Sequence, residues 1–205
     1  MEGETDDAGV LELRNRMRKN AFASLMCSRG SVMFLAGDEF CNTQFGNNNA
    51  YCQDNIISWL DWTRKETYSE MFEFCKYMIA FRKEHPILHG RSFMSGCGFP
   101  EVSIHNKKAW CSDMSPDIKV IGVMFSGRNS TNTADDVIFI GINAFWEDQD
   151  MELPHLPMGH SWKIVVNTEL PHISEDYYHE HSRWQGEHHV TVCGRSLIVA
   201  KVINC

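Results

Sequence analysis

Two adjacent carboxylates, Asp38 and Glu39, follow Gly37 directly after the apolar run Ser31–Ala36. In parallel α/β architectures, sites form at the carboxyl ends of strands, so a carboxylate could do chemistry at this position. Glycoside hydrolysis, however, needs two carboxylates that face each other across about 5–10 Å. Adjacent residues of an extended chain point in opposite directions, so this pair cannot supply that geometry. We therefore predict that Asp38 and Glu39 orient the loop at the strand end.

Histidines cluster in the last third of the chain, at His179, His181, His188 and His189. A metal site needs ligands that converge from a fixed scaffold, such as positions i and i+4 of one helix. These histidines lie in a polar, turn-prone segment without a nearby cysteine, which favours solvated loop histidines. The sequence has no Ser-His-Asp order, G-x-S-x-G elbow, P-loop or dinucleotide fingerprint. We expect neither a metal site nor a cofactor.

The segment between residues 45 and 55 combines amide side chains with aromatic ones. Amides donate and accept hydrogen bonds together, and tyrosine and tryptophan present flat apolar faces, which matches the hydroxyl rim and ring face of a sugar. The same amides could instead only hold the loop together, and composition does not choose between these two interpretations. The candidate glycan-binding residues are Asn49, Tyr51, Gln53, Asp54 and Asn55.

The elements that must position this loop are two predicted helices and one predicted strand. Helical spacing predicts a helix over 6–29 and a second from Ser69 to about Glu84, which His85-Pro86 stops. The run Ser31–Ala36 between them has no alternation and is typical of a strand buried on both faces. From about residue 87, short β-type runs separated by turn formers predict an antiparallel sandwich of about 100 residues. The predicted strands are 102–105, 119–125, 137–143, 162–166, 189–192 and 196–203.

Composition narrows the class of protein. The 205 residues are 43% hydrophobic and 22% charged, with a net charge of −8, which indicates a globular chain and argues against a nucleic-acid partner. No apolar run approaches the ~20 residues that span a bilayer, so we expect no membrane association. The acidic N-terminus predicts no secretory signal, and eight cysteines without a C-x-x-C pair indicate reduced thiols. Both features favour a cytoplasmic location.

Several motifs closely resemble the bacterial glycogen debranching enzymes, in the isoamylase-like branch of the α-amylase superfamily of glycoside hydrolases. The central motif runs from Ala36-Gly37-Asp38-Glu39-Phe40 through Gly46–Asn55 to Ile57–Trp62. At one point the chain departs from this pattern, because Cys41-Asn42 stands where the family has Gly-Arg. Further matching segments are Glu2–Asp7, Leu13–Arg16, Phe81–Pro86, Asn143–Trp146 and Arg195-Ser196.

The resemblance implies that this chain is only the C-terminal part of such an enzyme. The implied fold is an α+β fragment, with the last αβ elements of a (β/α)8 barrel followed by an antiparallel β-sandwich. Residues 1–90 would be the barrel remnant, with Val32–Ala36 as the eighth strand, and residues 91–205 the all-β domain. The implied activity is hydrolysis of α-1,6 branch linkages, and the implied partners are a branched α-glucan and the remainder of the barrel.

No residue of this sequence matches the family's nucleophile, acid/base glutamate or transition-state-stabilising aspartate, so we assign no catalytic residue. We expect the chain to be inactive alone. We also expect it either to self-associate through residues 6–40, where a barrel strand would lack its neighbours, or to leave that segment loosely packed. Two other interpretations remain open. The chain could be a non-catalytic glucan-binding module, or its sandwich could only stabilise a barrel.

Overall fold

The computed structural model of the chain describes residues 3–89, 98–113, 115–128 and 135–204. The predicted domain boundary between residues 90 and 91 falls outside these ranges and stays a prediction. The α-helices of the described ranges are α1 (Ala8–Met26), α2 (Arg64–Thr67), α3 (Ser69–Glu84) and α4 (Glu175–His181). The strands are β1 (Val102–His105), β2 (Val120–Arg128), β3 (Asp135–Asn143), β4 (Gln149–Glu152), β5 (His160–Asn167), β6 (Arg183–Trp184), β7 (His189–Val192) and β8 (Ser196–Asn204).

Helix α1 begins where Asp7 caps it, since the Asp7 carboxylate accepts a hydrogen bond from the Val10 N–H at 2.9 Å. It ends at Met26, three residues before the predicted end. Its buried side chains, among them Phe22 and Ala23, face the core. No helix in the described ranges is long and apolar enough to cross a membrane.

Helix α3 has the predicted length and buries one stripe of apolar side chains. Met71, Phe74 and Met78 recur at helical spacing and are at most 3% exposed. The helix stops before Pro86, which is incompatible with a continuing helix. Tyr68 precedes the first helical residue, and no side chain of the described ranges caps the helix.

Five strands form one antiparallel sheet in the order β1-β2-β3-β8-β5. A second, three-stranded sheet has the order β4-β7-β6 and is also antiparallel. The predicted antiparallel sheets are therefore confirmed, with some strands one to three residues longer than expected. Strands β4 and β6 were not predicted, since each is short and neither is mainly apolar.

The central strands of the five-stranded sheet are buried on both faces. On β3, Ile138 and Ile140 pack with the side chains of α1 and α3, whereas Phe139 packs with the three-stranded sheet. On β8, Val199 faces the helices and Ile198 faces the small sheet. This alternation follows from the two-residue period of a strand. The chain therefore has three layers, with helices, large sheet and small sheet stacked in that order.

The predicted strand at Val32–Ala36 is wrong, because the segment forms no strand in this chain. Met33 is 88% exposed and Leu35 is 64% exposed, although Phe34 packs edge-on against Phe22 with ring centroids 5.3 Å apart. A strand buried on both faces needs neighbouring strands to pair with. None of the described strands pairs with this segment, so the apolar run forms no ladder.

Arg82 of α3 holds the C-terminal end of α1. Its Nη1 donates to the Met26 carbonyl at 2.6 Å and to the Ser28 carbonyl at 2.7 Å, and its Nη2 donates to the Gly30 carbonyl at 2.6 Å. The last carbonyls of a helix have no intrahelical partner. A cation at this end also interacts favourably with the negative end of the helix dipole. Burial raises the pKa of the neighbouring Cys27 thiol to about 12, against the opposing charge of Arg82, so this thiol is neutral at pH 7.

We predict that Arg82→Met lowers the free energy of unfolding by about 3 kcal/mol, because buried carbonyls lose charge-assisted hydrogen bonds. Urea denaturation followed by circular dichroism measures the change. Lys83→Met is the matched control, since Lys83 is the exposed neighbour and should change stability by less than about 0.5 kcal/mol. Equal midpoints for the two variants would contradict the role given to Arg82.

Candidate functional site

A tight turn connects the Val32–Ala36 segment to the amide-rich loop, which comprises residues 43–62. Gly37 takes a left-handed φ of 98°, and a 3-10 turn spans Asp38–Phe40. The Asp38 carboxylate accepts the Leu35 N–H at 3.1 Å, and the Glu39 carboxylate accepts the Gly37 N–H at 2.9 Å. Both acidic side chains thus accept hydrogen bonds from the backbone beside them, and their loop-orienting role stays a prediction.

The turn packs closely against the far end of the loop. A Cβ on Gly37 would lie 2.6 Å from the Asn42 Cβ and 3.0 Å from the Leu60 side chain, which is closer than side chains tolerate. The Asn42 side chain accepts the Asp61 N–H at 3.0 Å. The rings of Phe40 and Trp62 lie 5.2 Å apart. These contacts join the two ends of the loop.

Cys41 stands where the debranching enzymes that the sequence resembles have glycine. The backbone conformation at this position explains why glycine is preferred there. Its φ is 58°, in the left-handed region that glycine adopts without steric cost. Burial raises the pKa of the Cys41 thiol, while the charges of Arg18 and Arg64 act in the opposite direction. The Arg64 Nε donates to the Cys41 carbonyl at 2.7 Å, which helps to hold this backbone conformation.

Side-chain amides form short-range turns within the loop. The Asn47, Asn49 and Asn55 side chains each accept the N–H of the residue two positions later, at distances of 2.9, 3.0 and 2.9 Å. Such turns stabilise a fixed loop conformation. The Gln53 amide donates to the Asn49 carbonyl at 2.7 Å. Asn49, Gln53 and Asn55 therefore each form hydrogen bonds that stabilise the loop itself.

Aromatic rings of the loop are exposed to solvent. Tyr51 is 82% exposed, and Trp59 and Trp62 are 56% and 65% exposed. The Trp59 indole donates to the Asp54 carboxylate at 2.8 Å, so its ring is held in one orientation. Flat, fixed, exposed rings are suited to stacking on an apolar ligand face.

A cavity of about 330 Å³ lies beside the loop, between α1, α3 and the Gly37 turn. Its polar lining includes Arg18, Asp38, Asn42 and Arg64. Asp38 is therefore the single sequence-predicted residue that lines it, and none of the five candidate glycan residues does. Sequence reasoning missed this cavity because its walls come from separate parts of the chain.

The histidine-rich segment differs from prediction. His179 and His181 lie on α4, which Ser174 caps by accepting the Tyr177 N–H at 3.1 Å, so they are not loop residues. The Ser-Glu-Asp start of α4 is a helix signal that the sequence contains. Within the described ranges, no three His, Cys, Asp or Glu side chains are placed to hold a metal ion.

Comparison with curated proteins finds similar chains. No family model matches the sequence. It is 29% identical over 188 residues to the glycogen operon protein GlgX homolog of Mycobacterium tuberculosis, and 33% identical over 170 residues to isoamylase 1, chloroplastic, of Oryza sativa subsp. japonica. Each match covers 83% of this chain, but only 26% and 20% of those relatives. This chain belongs to the isoamylase-like debranching-enzyme family.

Solved structures agree with this isoamylase-like assignment at the level of fold. The pullulanase from Bacillus acidopullulyticus superimposes with a TM-score of 0.65 at 20% identity, covering 92% of this chain and 20% of that one. A pullulanase from Paenibacillus barengoltzii, complexed with maltohexaose and alpha-cyclodextrin, gives a TM-score of 0.66 at 21% identity and covers 97% and 26%. The chain thus corresponds to the C-terminal part of an isoamylase-like protein.

We predict that Gly37→Ala lowers the free energy of unfolding by about 3 kcal/mol, because left-handed backbone strain adds to the clash with Asn42. Gly46→Ala is the control, since Gly46 also has a positive φ, of 81°, but no atom of the described residues lies within 4 Å of its Cβ position. We expect about 1 kcal/mol for that variant. Urea denaturation compares them, and equal losses would show that the packing at Gly37 is unimportant.

Proposed function

We propose that this chain supplies the C-terminal part of a glycogen debranching enzyme that hydrolyses α-1,6 branch linkages. The catalytic carboxylates would come from the remainder of a (β/α)8 barrel, and this chain would complete that barrel and carry the β-domain beyond residue 90. The observation that carries the proposal is the relationship to isoamylase-like proteins along 83% of the chain. Six free thiols among the described cysteines support the cytoplasmic location that we propose for it.

The exposure of the apolar Val32–Ala36 segment supports the proposal that the rest of a barrel packs against it. Met33 and Leu35 are mostly exposed, whereas each would contribute roughly 1.5–3 kcal/mol if fully buried. Helices α1 and α3 cover one face of the large sheet, but they do not provide strand edges for this segment. The rest of a barrel would supply both burial and ladder hydrogen bonds, which is why we propose it as the partner.

We propose that the loop contacts the glucan of the assembled enzyme. Tyr51 offers an exposed ring, and Asn49, Gln53, Asp54 and Asn55 belong to the same loop, which is fixed by its own hydrogen bonds. A preorganised loop loses little conformational entropy when it binds. Asp38 and Glu39 would keep the loop in place from the Gly37 turn.

A non-catalytic glucan-binding module is the second candidate, and the exposed rings of Tyr51 and Trp59 favour it. In that case the isolated chain would bind a glucan and would gain no activity from a barrel. A purely barrel-stabilising role would give neither glucan affinity nor dependence of the activity on the loop.

The direct test joins the barrel part of the Mycobacterium tuberculosis relative to this chain as a chimera. We expect the chimera to release reducing ends from glycogen and the isolated chain to release none, because acid/base and nucleophilic groups are required together. In the chimera, Tyr51→Ala should raise the KM for glycogen about tenfold, corresponding to one lost stacking contact.

Trp146→Ala is the matched control for this assay, since Trp146 is 66% exposed and lies outside the loop. Hydrolysis by the isolated chain above a mock-purified preparation would contradict the proposal. A chimera that folds but shows no activity would also contradict the proposal. An unchanged KM for Tyr51→Ala would remove only the proposed role of the loop.

We also predict that the isolated chain self-associates through residues 6–40 and that Met33→Ser weakens this association about tenfold, because Met33 is 88% exposed and apolar. Light scattering over a concentration series measures it. Met158→Ser provides a control at an exposed methionine elsewhere, with 99% exposure. A chain that stays monomeric at every concentration would refute this prediction.

A further inference from the structure

A second cavity, of about 440 Å³, lies in the β-sheet part of the chain and shares no lining residue with the cavity beside the loop. Its walls come from β5, α4, β6 and the turn between β6 and β7. Leu156, Trp162, His179, Trp184 and His188 are among the lining residues. The volume is in the range of ligand-binding cavities. We call it the sheet cavity.

Aromatic side chains give the sheet cavity its apolar surface. Trp162 is 4% exposed, and its indole N–H donates to the Pro154 carbonyl at 2.8 Å. Its polar atom is therefore occupied, and only its carbon surface remains for a ligand. Trp184 lies edge-on to the His179 ring, with centroids 5.7 Å apart.

Two ring nitrogens on the walls of the sheet cavity have no partner in the described part of the chain. They are the Nε1 of Trp184 and the Nδ1 of His188, and both are buried. The indole nitrogen is only a donor, whereas a neutral imidazole nitrogen either donates or accepts. Buried polar groups nearly always form hydrogen bonds, so each such nitrogen without one requires an explanation.

His179 adds a further donor. Its Nδ1 accepts the Ile164 N–H at 3.3 Å, so the hydrogen of the neutral ring lies on Nε2. The residue lines the same cavity. The sheet cavity therefore combines aromatic carbon surface with ring N–H groups from α4 and β6.

We propose that the sheet cavity binds one glucosyl unit of an α-glucan, at a site separate from the loop. Sugar hydroxyls donate and accept at once, so they can satisfy the Trp184 N–H and the His188 nitrogen once these two rings turn toward the ligand, since both nitrogens are shielded from solvent. The C–H face of the sugar ring matches the indole surface. The choice of an α-glucan among sugars rests on the proposed function. The existence of a sugar-sized site rests on the cavity itself.

The chemistry of the walls favours a neutral sugar over an ion. Glu187 adds a carboxylate to the lining, and the chain carries a net charge of −8, so an anion meets repulsion. No three metal-ligating side chains converge among the described residues. A purely apolar ligand would leave the Trp184 N–H without an acceptor.

The test is a titration of the full 205-residue chain with maltotriose, followed through the six tryptophan indole signals in ¹H–¹⁵N spectra. Single Trp→Phe variants assign the signals. We expect the Trp184 and Trp162 signals to shift in a saturable way, because these rings line the sheet cavity. The Trp59 and Trp62 signals report on the loop in the same experiment.

The variant Trp184→Phe keeps a six-membered aromatic ring but removes the N–H together with the five-membered ring of the indole. We expect it to raise the Kd of maltotriose about fivefold when binding is followed at Trp162, as befits one lost hydrogen bond. Trp146→Phe is the matched control and should leave that Kd unchanged, because Trp146 lines neither cavity. The remaining indole signals verify that each variant is folded.

The outcomes separate this proposal from the proposed function. A Trp184 signal that stays fixed while Trp59 and Trp62 shift would overturn the sheet-cavity site and leave the loop as the glucan contact. Inorganic phosphate that shifts Trp184 when maltotriose does not would make the cavity an anion site and overturn the proposal. Debranching by the chimera tests the activity independently of either signal.

Discussion

The position of the loop depends on one guanidinium group. Arg82 lies on α3, but it donates to three carbonyls at and beyond the end of α1, the last of them on Gly30. Because Gly30 takes a left-handed φ of 96°, the chain changes direction at the residue that Arg82 holds. The segment that leads to Asp38 and the loop therefore starts from a point fixed by α3. The same helix pair covers the outer face of the large sheet, so the loop is connected through Arg82 to the main core.

Sequence patterns predict the parts of this fold that are stabilised locally. The α3 stripe and the stop at Pro86 depend on spacing and on backbone chemistry within one segment. The alternation in β8 is likewise visible in the sequence. The strand predicted at Val32–Ala36 is wrong for a different reason. An apolar run indicates only that burial is favourable, whereas a strand also needs the edge of a partner strand. That partner is not supplied by the described strands, so no local pattern could establish it.

The site was predictable to a similar extent. Residue types indicated the loop and its exposed rings, and the Gly37-Asp38-Glu39 turn was recognisable by its motif. The left-handed backbone at Cys41 could not be read from the residue type, because cysteine rarely adopts it. Both cavities were missed, since their walls combine residues from helices, turns and strands that are distant in sequence. Only the Ser174 helix start was an available signal that went unused.

The distribution of hydrogen bonds distinguishes the two surfaces that we propose for sugar. In the loop, the Asn49 and Asn55 oxygens already accept backbone N–H groups, and the Trp59 N–H is bonded to Asp54. These bonds fix the exposed rings, so the loop offers stacking on those rings beside the amide N–H groups and the carboxylate oxygen that these bonds do not use. The sheet cavity differs, because the Trp184 N–H is buried there with no partner among the described residues, whereas the neighbouring rings are already packed. A ligand there is selected by hydrogen bonding. A loop that stacks and a cavity that hydrogen-bonds would therefore discriminate differently among sugars, since ring faces are common to many sugars and hydroxyl positions are not.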